Sequence, residues 1–155
     1  MQMETKNFGT LEIEEENIIQ FPEGIPGFEA QTRYVFIQNP EESVPFHWLQ
    51  SADDGELAFV VINPFLCRID YEFELPQSVV EKLEIESPDD LKLFSIVKVP
   101  EKIEDMTINL LAPIVINEKN NKAQQVVLNE NQYHTRHRVM DEFKRNEELS
   151  KEEGK

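Results

Sequence analysis

One cysteine, Cys67, stands among 155 residues, so no internal disulfide can form; this suits a reducing cytoplasm. Long apolar runs are missing too. The longest, such as LAFVVI (Leu57 to Ile62), fall far short of the roughly 20 residues that cross a bilayer, and no membrane span is expected. The opening MQMETKNFGTLEIEEE has neither a basic n-region nor an apolar h-region, so no secretory signal is expected and the reading is a cytoplasmic protein. Glycine is scarce at five, and Gly24 and Gly27 do not form a phosphate-binding loop. Basic residues are outnumbered, 15 against 31 acids, for a net charge of -16. Residues 1–75 hold 15 of the acids and 3 of the bases. A phosphate backbone or an anionic membrane surface would be repelled, so direct nucleic-acid binding and membrane binding are excluded. A basic protein partner would be attracted and its encounter hastened.

What is present is proline, at nine positions, with short runs rich in β-branched and aromatic residues between them. This punctuation predicts a mostly β, compact, single-domain, β-barrel-like fold. Strands are expected at Leu11–Ile13, Ile18–Phe21, Arg33–Gln38, Phe46–Gln50, Leu57–Ile62, Tyr71–Leu75, Leu91–Val99, Met106–Ile116 and Gln124–Leu128. LAFVVI and the IVIN end of NLLAPIVIN are apolar on both faces and read as central. Pro113 cannot donate to a ladder, so the long strand around it should break, bulge or lie on an edge. After Pro76, Val79, Val80 and Leu83 have helical spacing. Ser87 to Asp90 reads as a turn or a single helical turn. After His137 a helix with a weak apolar stripe is expected to fray into a tail. The expected division is residues 1–137 as the domain and 138–155 as a helical or partly disordered tail. At this length about 68–70% of the unfolded chain's surface can be buried, so no metal is needed for folding.

Candidates for chemistry are few. His134 and His137 in YHTRH are three apart, but a zinc site needs two more ligands and Cys67 is the one thiol. They read as a polar turn beside Arg136 and Arg138, and a small enzyme using them is the remote alternative. His47, between aromatics, reads as a packed strand residue. No catalytic residue, metal site or cofactor is expected.

DYEFELP (Asp70 to Pro76) is the more telling stretch. In an extended chain Tyr71, Phe73 and Leu75 share one side and Asp70, Glu72 and Glu74 the other. The carboxylates form either a solvated strand face or a docking surface for something basic. With the turn ADDGE they offer Asp53, Asp54, Glu56, Asp70, Glu72 and Glu74 as partner-binding candidates. Each exposed ion pair contributes about 0.2–1 kcal/mol, so affinity needs apolar anchors. Phe28, Phe46, Phe65 and Tyr71 are the candidates, although base rates place such aromatics in the core.

FPEGIPGFE (Phe21 to Glu29) combines two prolines that fix φ with two glycines that permit positive φ, which predicts a tight double turn. On physics alone it is a well-made connection. Taken with ETKNFGTLEI, FHWLQSADDGELAFVVINPF, DYEFELP, MTINLLAPIVIN, QVVL and YHTRH, all in order over residues 4–137, it resembles the flagellar assembly factor FliW family. That resemblance implies a β-barrel-like protein without catalytic activity and with two protein partners. One is flagellin, bound before export. The other is CsrA, a basic, dimeric, RNA-binding translational regulator. Flagellin sequesters the factor; once flagellin is exported, the freed factor binds the regulator and relieves repression of flagellin translation. The alternative is an acidic chaperone of flagellin alone.

Overall fold

The computed structural model describes residues 1–129 and 131–153. Its strands are β1 (Gln2–Thr5), β2 (Gly9–Glu12), β3 (Ile18–Gln20), β4 (Arg33–Ile37), β5 (His47–Ser51), β6 (Ala58–Ile62), β7 (Leu91–Lys98), β8 (Thr107–Ile108), β9 (Ile114–Asn117), β10 (Lys122–Gln125) and β11 (His137–Arg138). Its helices are α1 (Pro64–Cys67), α2 (Gln77–Lys82) and α3 (Val139–Glu153). Seven strands close on themselves in the order β3-β4-β5-β6-β7-β9-β10, and the fold is a mostly β barrel with few helices and a C-terminal helix. Every pairing in the ring is antiparallel except the closing one, where β10 lies parallel to β3 with Lys122 opposite Gln20. The β1–β2 hairpin lies outside the ring, and β8 and β11 extend one edge of β7.

Period-two alternation divides the apolar side chains into three packed groups. Tyr34, Leu49, Val61, Phe94, Ile114 and Ile116 point into the barrel and fill it. Ile62, Val97 and Val115, their outward neighbours, are covered by α1, α2 and the Val126–Val139 segment. Ile18 and Val35 face outward beneath the hairpin, against Met3 and Leu11. Ile114–Asn117 is buried on both faces, as its sequence predicts.

The strand around Pro113 breaks as expected, and one other strand expectation needs correction. Met106–Ile116 is not one strand: β8 ends at Ile108, β9 begins at Ile114, and the break holds Pro113. There the Pro113 and Leu111 carbonyls accept from Val126 and Leu128 N–H (2.9 and 2.8 Å), so pairing continues irregularly. Tyr71–Leu75 is no strand at all, because no other strand lies beside it. The β1 strand, the single turn of α1 and the two-residue β11 were not anticipated.

The double turn at FPEGIPGFE is present. Gly24 N–H donates to Phe21 O (2.8 Å) and Phe28 N–H to Ile25 O (2.7 Å). Gly24 has φ +69°, and a Cβ there would lie 2.6 Å from Glu29 Cα. Ser87 caps the expected turn at Pro88–Asp90, accepting from Asp89 N–H (3.2 Å). Of the C-terminal helix, Val139 and Glu142 are buried. Of the tail expected at 138–155, Val139–Glu153 is helical, and residues 154 and 155 lie outside the described residues.

Candidate partner-binding surface

Residues 63–76 leave the end of β6 and build most of the surface. Asn63 caps α1 by accepting from Phe65 N–H (3.0 Å), and Pro64 begins the turn. That one turn buries Cys67 and leaves Phe65, Leu66 and Ile69 exposed. Burial, helped by Glu142, pushes the Cys67 thiol up to about 12, so it stays protonated.

Tyr71 is 4% exposed and anchors the next stretch. Its hydroxyl donates to Leu110 O (2.6 Å), and its ring lies edge-on to those of Tyr133 (4.8 Å) and Phe65 (5.8 Å). Burial raises its pKa above the ordinary tyrosine value. Glu72 takes both backbone hydrogen bonds from the Tyr133 hydroxyl, donating its N–H and accepting at its carbonyl, each 2.9 Å. DYEFELP therefore runs extended, held by tyrosines rather than by a ladder. The alternation survives: Asp70, Glu72 and Glu74 are exposed, while Tyr71 is buried and Phe73 and Leu75 half-buried.

The three carboxylates are not equivalent. Asp70 accepts two 2.6 Å hydrogen bonds from Arg145 on α3 and lies 3.6 Å from Arg68. The Arg145 hydrogen bonds hold its carboxyl below the ordinary range, with burial opposing. Glu72 and Glu74 have no ion pair among the described residues, so they are the free charge of the stretch.

The ADDGE turn is elsewhere. Ser51 Oγ accepts from the Asp53 and Asp54 N–H groups (3.2 and 3.0 Å), Asp54 accepts from Glu56 N–H (3.0 Å), and Asp53 pairs with Arg33 (3.1 Å). The turn precedes β6 and DYEFELP follows it, so that strand's length of about 13 Å separates them. Phe28 packs edge-on to Phe59 (5.2 Å) at the ADDGE end. Phe46, half-buried, directly precedes His47, which pairs with Val61 at the other end. The ten candidates thus divide into Asp53, Asp54, Glu56 and Phe28 at one end, and Phe46, Phe65, Asp70, Tyr71, Glu72 and Glu74 at the other.

Of the second group, Phe65, Tyr71 and Glu72 line an open groove of about 710 Å³ between residues 65–75 and the start of β7. Phe65, Tyr71, Glu72, Phe73 and Leu75 form one side; Leu91, Lys92, Leu93 and Phe94 form the other. The leucines were missed because nothing in LKLF separates a groove wall from a core strand. Tyr133 and Arg145 were missed because their partners lie 61 and 75 residues away.

The histidines serve structure. His137 Nε2 accepts from His134 N–H (2.8 Å), which leaves the proton on Nδ1 to donate to Glu142 (2.9 Å). Burial lowers the His137 pKa, although Glu142 opposes the shift. Arg68 lies 3.7 Å from Glu142 and over the Tyr133 ring. His47 Nδ1 accepts from Asn39 N–H (3.0 Å), and burial lowers its pKa as well. Among the described residues no group of three His, Cys, Asp or Glu side chains could hold a metal, and no helix is long and apolar enough to cross a membrane.

Comparison with known proteins bears on this surface. The family model described as FliW protein matches residues 2–139. A flagellar assembly factor FliW of Alkaliphilus metalliredigens is 53% identical over 150 residues, covering 97% of this chain and 93% of that protein. One of Caldanaerobacter subterraneus subsp. tengcongensis is 45% identical over 144 residues, covering 93% and 96%. A crystal structure of the flagellar assembly factor FliW superposes with a TM-score of 0.84 at 38% identity, covering 90% of this chain and 96% of the other.

Proposed function

The chain belongs to the FliW family of flagellar assembly factors, and we propose that it works there as a cytoplasmic binding protein without catalysis. Residues 1–137 are the binding domain and 138–155 its tail. The partners are flagellin and the basic RNA-binding regulator CsrA, exchanged as flagellin is made and exported. The factor held by flagellin is silent. The factor freed by export binds the regulator and relieves repression of flagellin translation.

The observation that carries this reading is the juxtaposition of free carboxylates with an apolar groove. Glu72 and Glu74 stand on the same stretch as Tyr71, Phe73 and Leu75, which line the groove. Long-range charge speeds the encounter, and buried apolar contact supplies residence time. Such a surface needs no reacting group.

A pulldown from the native cytoplasm tests the reading. Recovery of flagellin together with an RNA-binding protein is the expected result. Flagellin alone would remove the regulator and leave an acidic chaperone. Regulator binding measured at rising RNA concentration separates mechanisms: a plateau in apparent affinity marks allosteric antagonism, and decline without limit marks competition for the RNA site.

A further inference from the structure

β7 is longer than the strands it joins. Ser95, Ile96 and Val97 pair with β6, opposite Ile62, Val61 and Val60. Along its other edge, Leu91 to Phe94 pair with β9, opposite Asn117 to Ile114. β6 stops at Ile62 because Asn63 caps α1 and Pro64 has no N–H to give. Beyond that point the β6-side edge of β7, from Leu91 to Phe94, has no strand beside it among the described residues.

Backbone alternation identifies the groups left open. The Asp90 and Ile96 carbonyls accept from Glu118 and Asn109 N–H on the β9 side, at 2.8 and 3.0 Å. Even-numbered residues of β7 therefore point that way and odd-numbered ones face the open edge; Leu91 N–H is taken there by Pro88 O, which leaves the Leu91 C=O and both backbone groups of Leu93 open. Across the groove, the backbone groups of Phe73, Glu74 and Leu75 have no hydrogen-bond partner among the described residues. Two unpaired stretches of extended backbone thus border one groove. A barrel otherwise leaves no such edge, and an exposed edge is a template for another strand.

We propose that this groove is a strand-addition slot, filled by an extended segment of a partner protein in which apolar and basic residues alternate. The segment pairs with both backbone groups of Leu93 and with the Leu91 carbonyl, over about four residues. Its apolar side chains meet Phe65, Phe73 and Leu75; its basic ones meet Glu72, which lines the groove, and the exposed Glu74 and Asp89, which neighbour the lining residues Leu75 and Pro88 in the chain. Charge complementarity selects this occupant, since the chain carries -16 overall, both glutamates are free of ion pairs among the described residues, and the cation of the lining, Lys92, is paired with Glu118 (3.8 Å). The inference rests on the reading of the chain as a partner-binding factor and adds how the partner is held.

The test uses the full chain and capped eight-residue peptides of alternating valine and lysine. Binding is followed by calorimetry, and hydrogen exchange is read at single amides by NMR. The expected result is saturable binding that slows exchange of the Leu93 amide at least tenfold. N-methylation at every second peptide residue should abolish binding in one phase and spare it in the other. The variant E72Q/E74Q should bind at least threefold more weakly. The proposal is overturned if the peptide does not bind, if both methylated peptides bind like the parent, or if the Leu93 amide stays unprotected. It is also overturned if the same residues reordered to helical spacing bind as tightly, or if the Leu93 amide is already protected in a dimer. Loss of flagellin from the pulldown, with protection by the peptide intact, would instead count against the cellular reading alone.

Discussion

Arg145 grips Asp70 with two parallel 2.6 Å hydrogen bonds, tying α3 to the start of DYEFELP. Asn146 adds two bonds to the same junction, accepting from Ile69 N–H (3.2 Å) and donating to Cys67 O (2.8 Å). The first turns of α3 are held largely by polar contacts of this kind. Arg145→Ala should cost about 1 kcal/mol or less in urea unfolding, since both side chains are at least one-third exposed. Because the Asp70 pKa is depressed, the pair's contribution is complete above about pH 4 and fades as pH falls further. Urea midpoints of the two proteins should therefore draw together as pH falls below about 4.

His137 acts in a different pH window. Its pKa is lowered in the fold, so the unfolded chain binds the proton more tightly. Its contribution is complete above about pH 6.5 and fades as pH falls below that value. Protonating Nε2 would also set two donors against each other at His134 N–H. The wild type should lose more stability between pH 7.5 and 5.5 than His137→Gln, measured by urea unfolding at each pH.

Tyr71 tests whether the tyrosine pair holds the extended stretch. Tyr71→Phe leaves the buried Leu110 carbonyl without this donor and should cost about 1–3 kcal/mol. Tyr71→Ala should cost about 3–5 kcal/mol and lower Tm sharply. Equal melting of all three proteins would show that Tyr71 is not part of the packed core.

The carboxylates of DYEFELP should separate into charge for partners and charge for the fold. E72Q/E74Q should keep stability within about 0.5 kcal/mol of the wild type. It should also flatten the fall in partner association rate between 0.01 and 0.15 M salt, where the Debye length shrinks from about 30 to about 8 Å. Adding D70N should lower Tm, because Asp70 is the acceptor for Arg145. Stopped-flow association and thermal melts of both variants check the two halves. Identical salt slopes for the double variant and wild type would make the acidic face no more than a solvated one.

Gly24→Ala should destabilise the protein by about 1–3 kcal/mol. It combines a positive φ with a Cβ 2.6 Å from the Glu29 backbone, which cannot move aside like a flexible side chain. The comparison is Gly27→Ala, where φ is also positive but nothing lies within 4 Å.

Local pattern was readable and pairing was not. Runs such as Arg33–Gln38 and Leu57–Ile62 match β4 and β6 to within a residue, because apolar spacing and flanking turn residues are local. The double turn at Gly24 and Gly27 and the break at Pro113 were readable for the same reason. DYEFELP shows the limit. Its alternation of burial is as read, yet strandhood needs a neighbour, and which segment lies alongside is decided by the rest of the fold. The candidate surface divides in the same way. That Phe65 and Tyr71 meet at the groove depends on α1, a single turn too short for any periodicity. That Asp53 and Glu74 lie apart depends on which end of β6 each occupies.

The parallel contact of Gln20 with Lys122 closes the ring across about a hundred residues of chain. Neighbouring hairpins from β3 to β7 can form as soon as each is synthesised, but the last seam needs a segment made near the end. Closing so large a loop is entropically slow, which places it late on the folding pathway. A nascent chain on the ribosome is therefore an open, curling sheet whose first strand waits for its partner. Its apolar interior stays wet until β10 emerges. Truncation anywhere before Lys122 should leave a species prone to aggregation rather than a smaller folded protein.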